Sequence, residues 1–233
     1  MLYNLIMFLQ VILPIILCFV PVIIGAVVFS RFKIKVIHLL IAILLGLVAV
    51  FPISLIQYFI EQTRVFQKFL TTPVFFYFIK SLLIYGLLEE LLKAGFVALN
   101  PHKELTILQQ VLLAGLLGLS LSGFENVVYF MHLFSDATTK GAELLYSQIF
   151  LRFFTADIIH LCCTMLSGMF IITLRDKSLR RRWGLLIIAI LLHGFYDFFA
   201  GFQNSLNWFQ IPVILLAVLE VRIKYKSLTL PEA

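Results

Sequence analysis

The sequence predicts an all-α protein, a polytopic membrane bundle of about seven transmembrane helices. Two observations carry this prediction: 62% of the 233 residues are hydrophobic and only 13% are charged, and the mean hydropathy is +1.05. Soluble domains are about half apolar and about a quarter charged, so the chain lies outside that class. Seven apolar segments with their loops take up almost the whole chain. We therefore expect a single transmembrane domain over residues 1–233.

The apolar segments are separated by short loops that contain proline, asparagine or clustered basic residues. The first ends before Arg31, the third before Asn100, the fifth at Arg175 and the sixth before Gln203. A span needs about 20 apolar residues, and its backbone must satisfy its own hydrogen bonds in hydrocarbon, so each segment should be a helix. We predict spans at about 5–29, 36–60, 74–99, 106–131, 149–174, 184–202 and 207–222.

The basic residues fall mostly in loops on one side of the predicted bundle. Three lie on the other side, namely Arg64, Lys68 and Lys140. The net charge of +6 therefore indicates how the chain is oriented in the membrane and does not indicate a nucleic-acid-binding surface. The positive-inside rule places the N-terminus outside and the C-terminus in the cytoplasm. The twelve on the first side are Arg31, Lys33, Lys35, Lys103, Arg175, Lys177, Arg180, Arg181, Arg182, Arg222, Lys224 and Lys226.

Ionisable residues inside the spans are concentrated in the third to sixth segments. Burying one at a helix centre costs about 2.5–3.5 kcal/mol on insertion scales, so such residues usually face a polar interior and serve a function. We therefore expect helices within about 74–202 to enclose a site. The residues that indicate this site are Glu89, Glu90, Lys93, Glu125, Asn126, Tyr129, Arg152, Asp157, His160, His193, Tyr196 and Asp197.

Helical spacing brings several of these side chains onto common faces. Lys93 follows Glu89 by four residues and Glu90 by three, so it can neutralise either carboxylate. His193 and Asp197 are also four residues apart, which stacks an imidazole over a carboxylate. Counted from the outer ends of their spans, four of the ionisable side chains lie roughly 8–16 Å below the outer surface, namely Glu125, His160, His193 and Asp197. The spacing predicts a pocket in the outer half of the bilayer.

Three known intramembrane protease signatures are absent from the sequence. It has no H-E-x-x-H zinc motif, no G-x-G-D to complete an aspartyl pair with Asp197, and no G-x-S-x-G around Ser120 or Ser122. Glutamates and histidines remain, and they can either activate a water directly or bind a metal ion that does so. The residues alone leave both possibilities open.

Four motifs in order resemble those of the PrsW family of intramembrane proteases, related to the CAAX-prenyl endoproteases. They are Glu89-Glu90-Leu91-Leu92-Lys93, then Phe124-Glu125-Asn126-Val127-Val128-Tyr129, then Arg152 followed by His160, and finally His193-Gly194-Phe195-Tyr196-Asp197. The resemblance implies hydrolysis of a peptide bond in a membrane-anchored protein, such as an anti-sigma factor, in a bacterial cell membrane.

The resemblance also implies roles for the motif residues. Glu89, next to Glu90, would be the general base that activates water, with Glu125 as its helper. His193 and Asp197 would hold the oxyanion or orient the scissile carbonyl, and His160 would complete the catalytic group. The supporting residues would be Lys93, Asn126, Tyr129 and Arg152.

Three other interpretations stay open at this point. A metal-dependent peptidase would draw its ligands from Glu89, Glu125, His160 and His193, and zinc is the expected ion. A non-catalytic membrane scaffold could keep the bundle without the chemistry. A proton-coupled transporter also carries buried acids and histidines, although such proteins often show internal repeats, and none is visible here.

Overall fold

The structure is a computed structural model, and every regular element that it describes is helical. It describes residues 12–64, 66, 74–140, 142–176, 179 and 182–229, with only the backbone described for 132–140 and 142–145. The α-helices are α1 (Leu13–Cys18), α2 (Val20–Ser30), α3 (Val36–Glu61), α4 (Val74–Lys80), α5 (Glu89–Val97), α6 (Ile107–Lys140), α7 (Ala142–Phe154), α8 (Ala156–Arg175), α9 (Trp183–Ala200) and α10 (Gln210–Thr229). A π-helix (Ser81–Leu88) joins α4 to α5, and a 3₁₀-helix (Ser205–Phe209) precedes α10.

Six helical segments within the described residues are long and apolar enough to cross a membrane. They are Leu13–Ser30, Val36–Glu61, Ile107–Met131, Tyr146–Arg175, Trp183–Ala200 and Ser205–Thr229. These match six of the seven predicted spans, which confirms the all-α membrane bundle. Part of the first predicted span, residues 5–11, lies outside the described residues.

The third predicted span is helical but is not among these six segments. It runs from Val74 to Val97 as α4, the π-helix and α5, so its helical hydrogen-bonding pattern changes twice. It also carries four charged side chains, Lys80, Glu89, Glu90 and Lys93. Short π-helical stretches are rare and occur often at functional sites. Here the π-helix ends directly before Glu89.

Two other boundaries differ from the prediction. The α6 helix continues to Lys140, nine residues beyond the predicted end at 131. The fifth span is broken at Thr155, whose φ of −122° and ψ of −82° are not helical, so α7 and α8 are separate helices. The hydropathy of the sequence does not reveal this break, because apolar residues continue on both sides of Thr155.

The core is built around the middle parts of α6 and α8. The side chains are buried from Val111 to Gly123 on α6 and, except for Leu161, from Ile159 to Thr173 on α8. The α3 helix exposes one stripe, including Leu40, Leu44 and Leu55, as expected for a lipid-facing surface. Gly118 permits the close approach of α6 to α8. A Cβ at this position would lie 2.5 Å from the backbone oxygen of His160. The approach therefore fixes His160 against α6.

The π-helix packs equally closely against α9. A Cβ on Gly86 would lie 2.6 Å from the backbone oxygen of Ile190, and a Cβ on Gly194 would lie 2.9 Å from the Cα of Leu82. Small residues at a helix interface let two backbones approach in this way. As a result, α5 and α9 bring Glu89 and Glu90 next to His193.

Candidate active site

The predicted site residues come from five helices that meet at one place in the bundle. Glu89, Glu90 and Lys93 lie in the first turns of α5; Glu125, Asn126 and Tyr129 lie on α6; Arg152 lies on α7; His160 lies on α8; and His193 and Asp197 lie on α9. The first turns of α5 begin where the π-helix ends, so the geometry of that junction sets the direction of both glutamates.

The ammonium group of Lys93 lies at the centre of this cluster and is fully buried. Its Nζ lies 2.8 Å from Oε1 of Glu89 and 2.9 Å from Oε1 of Glu90, and it lies 2.8 Å from Nδ1 of His160. An ammonium has three N–H donors, and here each has one acceptor within reach. Lys93 therefore joins both glutamates to the imidazole of the neighbouring helix.

Glu90 is enclosed by protein on every side. Besides Lys93, it accepts a 2.9 Å hydrogen bond from the Ser167 hydroxyl at Oε2, and Nδ1 of His193 lies 2.9 Å from Oε1. Sequence reasoning missed Ser167. Its position seven residues after His160, two turns along the same helix face, is the signal that could have indicated it. Glu90 is thus held in place and kept away from solvent.

Glu89, His160 and His193 form the part of the cluster that could hold a metal ion. Oε1 of Glu89 lies 3.4 Å from Nδ1 of His160 and 3.7 Å from Nε2 of His193. One donor atom from each residue lies within 4.8 Å of the others, and all three residues are buried. Two histidines and one glutamate, with an open fourth position, are a known ligand set of catalytic zinc.

Two further observations bear on whether a cation fits there. Oε1 of Glu89 and Nδ1 of His193 are buried and, among the described residues, neither makes a well-aligned hydrogen bond, although charged groups lie within 3 Å. The cluster also carries more negative than positive charge. The carboxylates at and behind the cavity wall (Glu89, Glu90, Glu125, Asp197) outnumber the cationic side chains (Lys93, Arg152). With neutral histidines, a divalent cation would offset this negative charge, so the residues present fit a metal ion.

Each histidine connects the interior of the cluster to a carboxylate that is partly exposed. Nε2 of His160 lies 3.1 Å from Oε2 of Glu125, and Nε2 of His193 lies 3.4 Å from Oδ2 of Asp197. The side chains of Glu125 and Asp197 are 25% and 26% exposed, against 5% for Glu89 and 0% for Glu90. Glu125 and Asp197 are therefore the carboxylates most accessible to an incoming substrate or water.

A cavity of about 220 Å³ lies directly against these groups. Gln57 of α3, Tyr85 of the π-helix and Ala200 at the end of α9 contribute to its wall, and sequence reasoning had assigned none of the three to a site. Glu90 and Lys93 lie behind the wall. The full lining is Gln57, Tyr85, Glu89, Glu125, Arg152, Ala156, His160, His193, Tyr196, Asp197 and Ala200.

Tyr129 and Asn126 are not part of the cavity wall. The Tyr129 ring lies beneath the Arg152 guanidinium, 4.7 Å from its carbon, and the tyrosine is 40% exposed. Asn126 is buried, donates a 2.9 Å hydrogen bond to Asp157 and accepts one from Nε of Arg152. Both residues therefore contact Arg152, which does line the cavity.

Comparison with known proteins identifies the family. A family model described as "PrsW family intramembrane metalloprotease" matches residues 35–221. No curated protein and no solved structure matches the chain. The matched region contains every helix that contributes to the cavity and extends over well over half of the sequence. The chain is therefore a member of the PrsW family of intramembrane metalloproteases.

Proposed function

We propose that this intramembrane protease cleaves a peptide bond of a membrane-anchored protein, such as an anti-sigma factor, at the cavity formed by α5, α6, α8 and α9. The observation that carries the proposal is the cluster of Glu89, His160 and His193 buried at the wall of a polar cavity. Buried glutamates and histidines beside a space large enough for water can activate that water for peptide hydrolysis, either directly or through a metal ion.

Glu89, His160 and His193 would hold a divalent cation, with zinc as the expected ion. A bound cation would polarise the scissile carbonyl and make a water molecule easier to deprotonate. Glu90 supports this arrangement because its Oε1 lies 2.9 Å from Nδ1 of His193. A carboxylate next to the second ring nitrogen is the usual way to orient a metal-binding histidine.

Glu125 is the general base in this arrangement. It faces the cavity and contacts His160, whereas Glu89 is surrounded by Lys93 and two histidines. As the water oxygen bonds to the carbonyl carbon, the carbonyl π electrons move to oxygen and the water proton moves to the glutamate carboxylate. The same proton can then reach the amide nitrogen as the C–N bond breaks.

Asp197 lies on the cavity side of His193, with its Oδ2 3.4 Å from Nε2 of the imidazole. An ionised carboxylate accepts hydrogen bonds but cannot donate one to an oxyanion. We therefore assign Asp197 to the orientation of the incoming peptide.

A second mechanism, in which Glu89 activates water without a metal ion, is favoured by one contact. Lys93 lies 2.8 Å from Glu89 and from Nδ1 of His160, so an ammonium already supplies a positive charge at the position where a cation is needed. In that version Glu89 is the base and Glu125 its helper.

A cleavage assay with a chelator separates the two mechanisms. Wild-type protein, Glu89→Gln and the matched control Glu220→Gln, altered on the distant α10, are incubated with a panel of single-span membrane peptides. We expect cleavage by the wild type and the control and none by Glu89→Gln. Loss on chelation with recovery on adding zinc supports the metal mechanism, and cleavage unaffected by chelator supports the glutamate mechanism. Full cleavage by Glu89→Gln would contradict both.

We also propose that the cavity lies on the outer side of a bacterial cell membrane. Gln57 and Ala200 line it near the ends of α3 and α9, opposite the loops that carry most of the basic residues. Single cysteines at Thr63 and at Lys103, in a background without the native cysteines, would test this in intact cells. A membrane-impermeant maleimide should label Thr63→Cys and not Lys103→Cys, and the reverse result would contradict the orientation.

A further inference from the structure

A second polar network lies beside the cavity and is separate from the cluster around Lys93. It runs from Ser122 and Asn126 on α6 to Asp157 on α8 and Arg152 on α7. Asp157 is 1% exposed, and its Oδ1 accepts a 2.5 Å hydrogen bond from Ser122 and a 2.9 Å hydrogen bond from Asn126. Burying a carboxylate in a membrane-spanning helix costs free energy, so residues of this kind usually have a function.

The hydrogen bonds of this network have only one possible direction. Oδ1 of Asp157 accepts, so the amide nitrogen of Asn126 must point toward it, and the amide oxygen of Asn126 must point the other way. That oxygen accepts a hydrogen bond from Nε of Arg152. The Tyr129 ring supports the guanidinium from one face, with the ring centre 4.7 Å away. Asp157 therefore sets the orientation of Arg152 through Asn126.

Arg152 is the one lysine or arginine among the residues that line the cavity. Its Nε is used by Asn126, but within the ranges that the structure describes neither terminal nitrogen has a hydrogen-bond or ion-pair partner. The other strong donors at the site already face carboxylates: Lys93 faces Glu89 and Glu90, and His193 faces Glu90 and Asp197. Arg152 thus offers charged N–H donors that remain available to a ligand.

Peptide hydrolysis needs such donors where negative charge develops. When water attacks, the carbonyl oxygen gains a negative charge, and a fixed donor in a cavity with little water stabilises it strongly. A planar guanidinium fixed at Nε and at its face presents its two terminal nitrogens in a defined direction. The three cavity carboxylates, Glu89, Glu125 and Asp197, cannot fill this role when ionised.

Resting on the proposed peptidase function, we infer that Arg152 binds the oxygen of the scissile carbonyl as it becomes negative, and that Asp157 is a positioning residue that holds Arg152 through Asn126. The two residues then form one unit. Arg152 touches the reacting atoms, while Asp157 acts entirely through the hydrogen bonds of Asn126.

The test measures kcat and KM on one single-span peptide that the wild type cleaves. Arg152→Gln should lower kcat by about 10²–10³-fold, the effect of removing one oxyanion donor, with little change in KM. Millimolar guanidinium should restore part of the activity of Arg152→Ala. Arg31→Gln, at an exposed loop position, is the matched control and should behave as wild type. A rise in KM with unchanged kcat would overturn the inference.

The role of Asp157 is tested by its own variants and by a double mutant. Asp157→Ala should lower kcat, whereas Asp157→Asn should retain it, because the amide oxygen can accept the same two hydrogen bonds. If Asp157 acts through Arg152, then Asp157→Ala adds no further loss to Arg152→Gln. Losses that multiply would contradict the positioning role. Should Asp157→Ala fail to fold, Asn126→Leu breaks the same connection from α6 and must show the same lack of additivity.

Different cleavage results would contradict the proposed function and the role of Arg152. Equal cleavage by wild type and Glu89→Gln contradicts the proposed function. Cleavage that is lost in Glu89→Gln but kept at the wild-type kcat in Arg152→Gln contradicts the inference alone.

Discussion

The hydroxyl of Ser167 donates a 2.9 Å hydrogen bond to Oε2 of Glu90, and both side chains are completely buried. This bond crosses from α8 to α5 and gives the second oxygen of Glu90 its partner, since the first oxygen contacts Lys93 and His193. Glu90 therefore has a role in the structure of the site that does not require contact with substrate.

Replacing Ser167 tests the contribution of this bond to stability. Ser167→Ala should lower the free energy of unfolding by about 1–3 kcal/mol, because it leaves a buried carboxylate oxygen without its donor. Thermal unfolding in detergent measures the change. Ser30→Ala, at an exposed hydroxyl that bonds its own helix, is the control and should change stability by less than about 0.5 kcal/mol. Equal stability of the two variants would show that Glu90 does not depend on Ser167.

Lys93 should be the most important single side chain for the stability of the cluster. Lys93→Met keeps the length of the side chain but leaves two buried carboxylates without their ammonium, which should cost about 3–5 kcal/mol. The matched variant Lys80→Met removes an ion pair to the 37% exposed Glu61 and two cation–π contacts, and it should cost about 1–2 kcal/mol. Thermal unfolding of both variants gives the comparison. A smaller loss for Lys93→Met than for Lys80→Met would contradict the central place of Lys93.

Gly118 is predicted to be required for the position of His160. A Cβ there would lie 2.5 Å from both the backbone oxygen of His160 and Oγ1 of Thr164, so Gly118→Ala must separate α6 from α8. We expect a loss of about 1–3 kcal/mol in stability and a fall in peptide cleavage. Gly95→Ala is the matched control, because no atom lies within 4 Å of its added Cβ and alanine favours a helix. Similar behaviour of the two variants would refute the close contact.

The proposed ligands predict the metal content of the purified protein. Protein prepared without chelator should contain one divalent ion per chain by elemental analysis. Glu89→Gln, His160→Ala and His193→Ala should each lose most of it, since a site with three protein ligands does not hold an ion tightly with two. His38→Ala, near the start of α3, should keep the wild-type content. Full metal content in all three ligand variants would place the ion elsewhere.

Much of this site could be predicted from local sequence. The contacts of Lys93 with Glu89 and Glu90, and of His193 with Asp197, follow from spacings of three and four residues on a helix. The restriction of polar residues to four spans also pointed to the helices that surround the cavity. These predictions succeeded because they depend on one helix at a time.

The rest depends on how helices pack, and sequence spacing does not contain that information. The 2.9 Å approach of His193 to Glu90 follows from the backbone contact of Gly86 with α9. Gln57 reaches the cavity from α3, a span with no Asp, Glu, Lys, Arg or His in its middle. Tyr129 belongs to the same motif as Glu125 but, four residues later on α6, it contacts Arg152 and does not line the cavity. The break at Thr155, which separates Arg152 from His160, is likewise a matter of backbone conformation.

The π-helix at Ser81–Leu88 makes the length of this segment part of the site. A π-helix accommodates more residues per turn than an α-helix, and each residue of an α-helix rotates the chain by about 100°. Deleting one residue between Ser81 and Leu88 would let the segment relax to an α-helix and would turn Tyr85 away from its present direction relative to Glu89. The segment should therefore accept changes of side chain at lipid-facing positions such as Leu83 far more readily than any insertion or deletion.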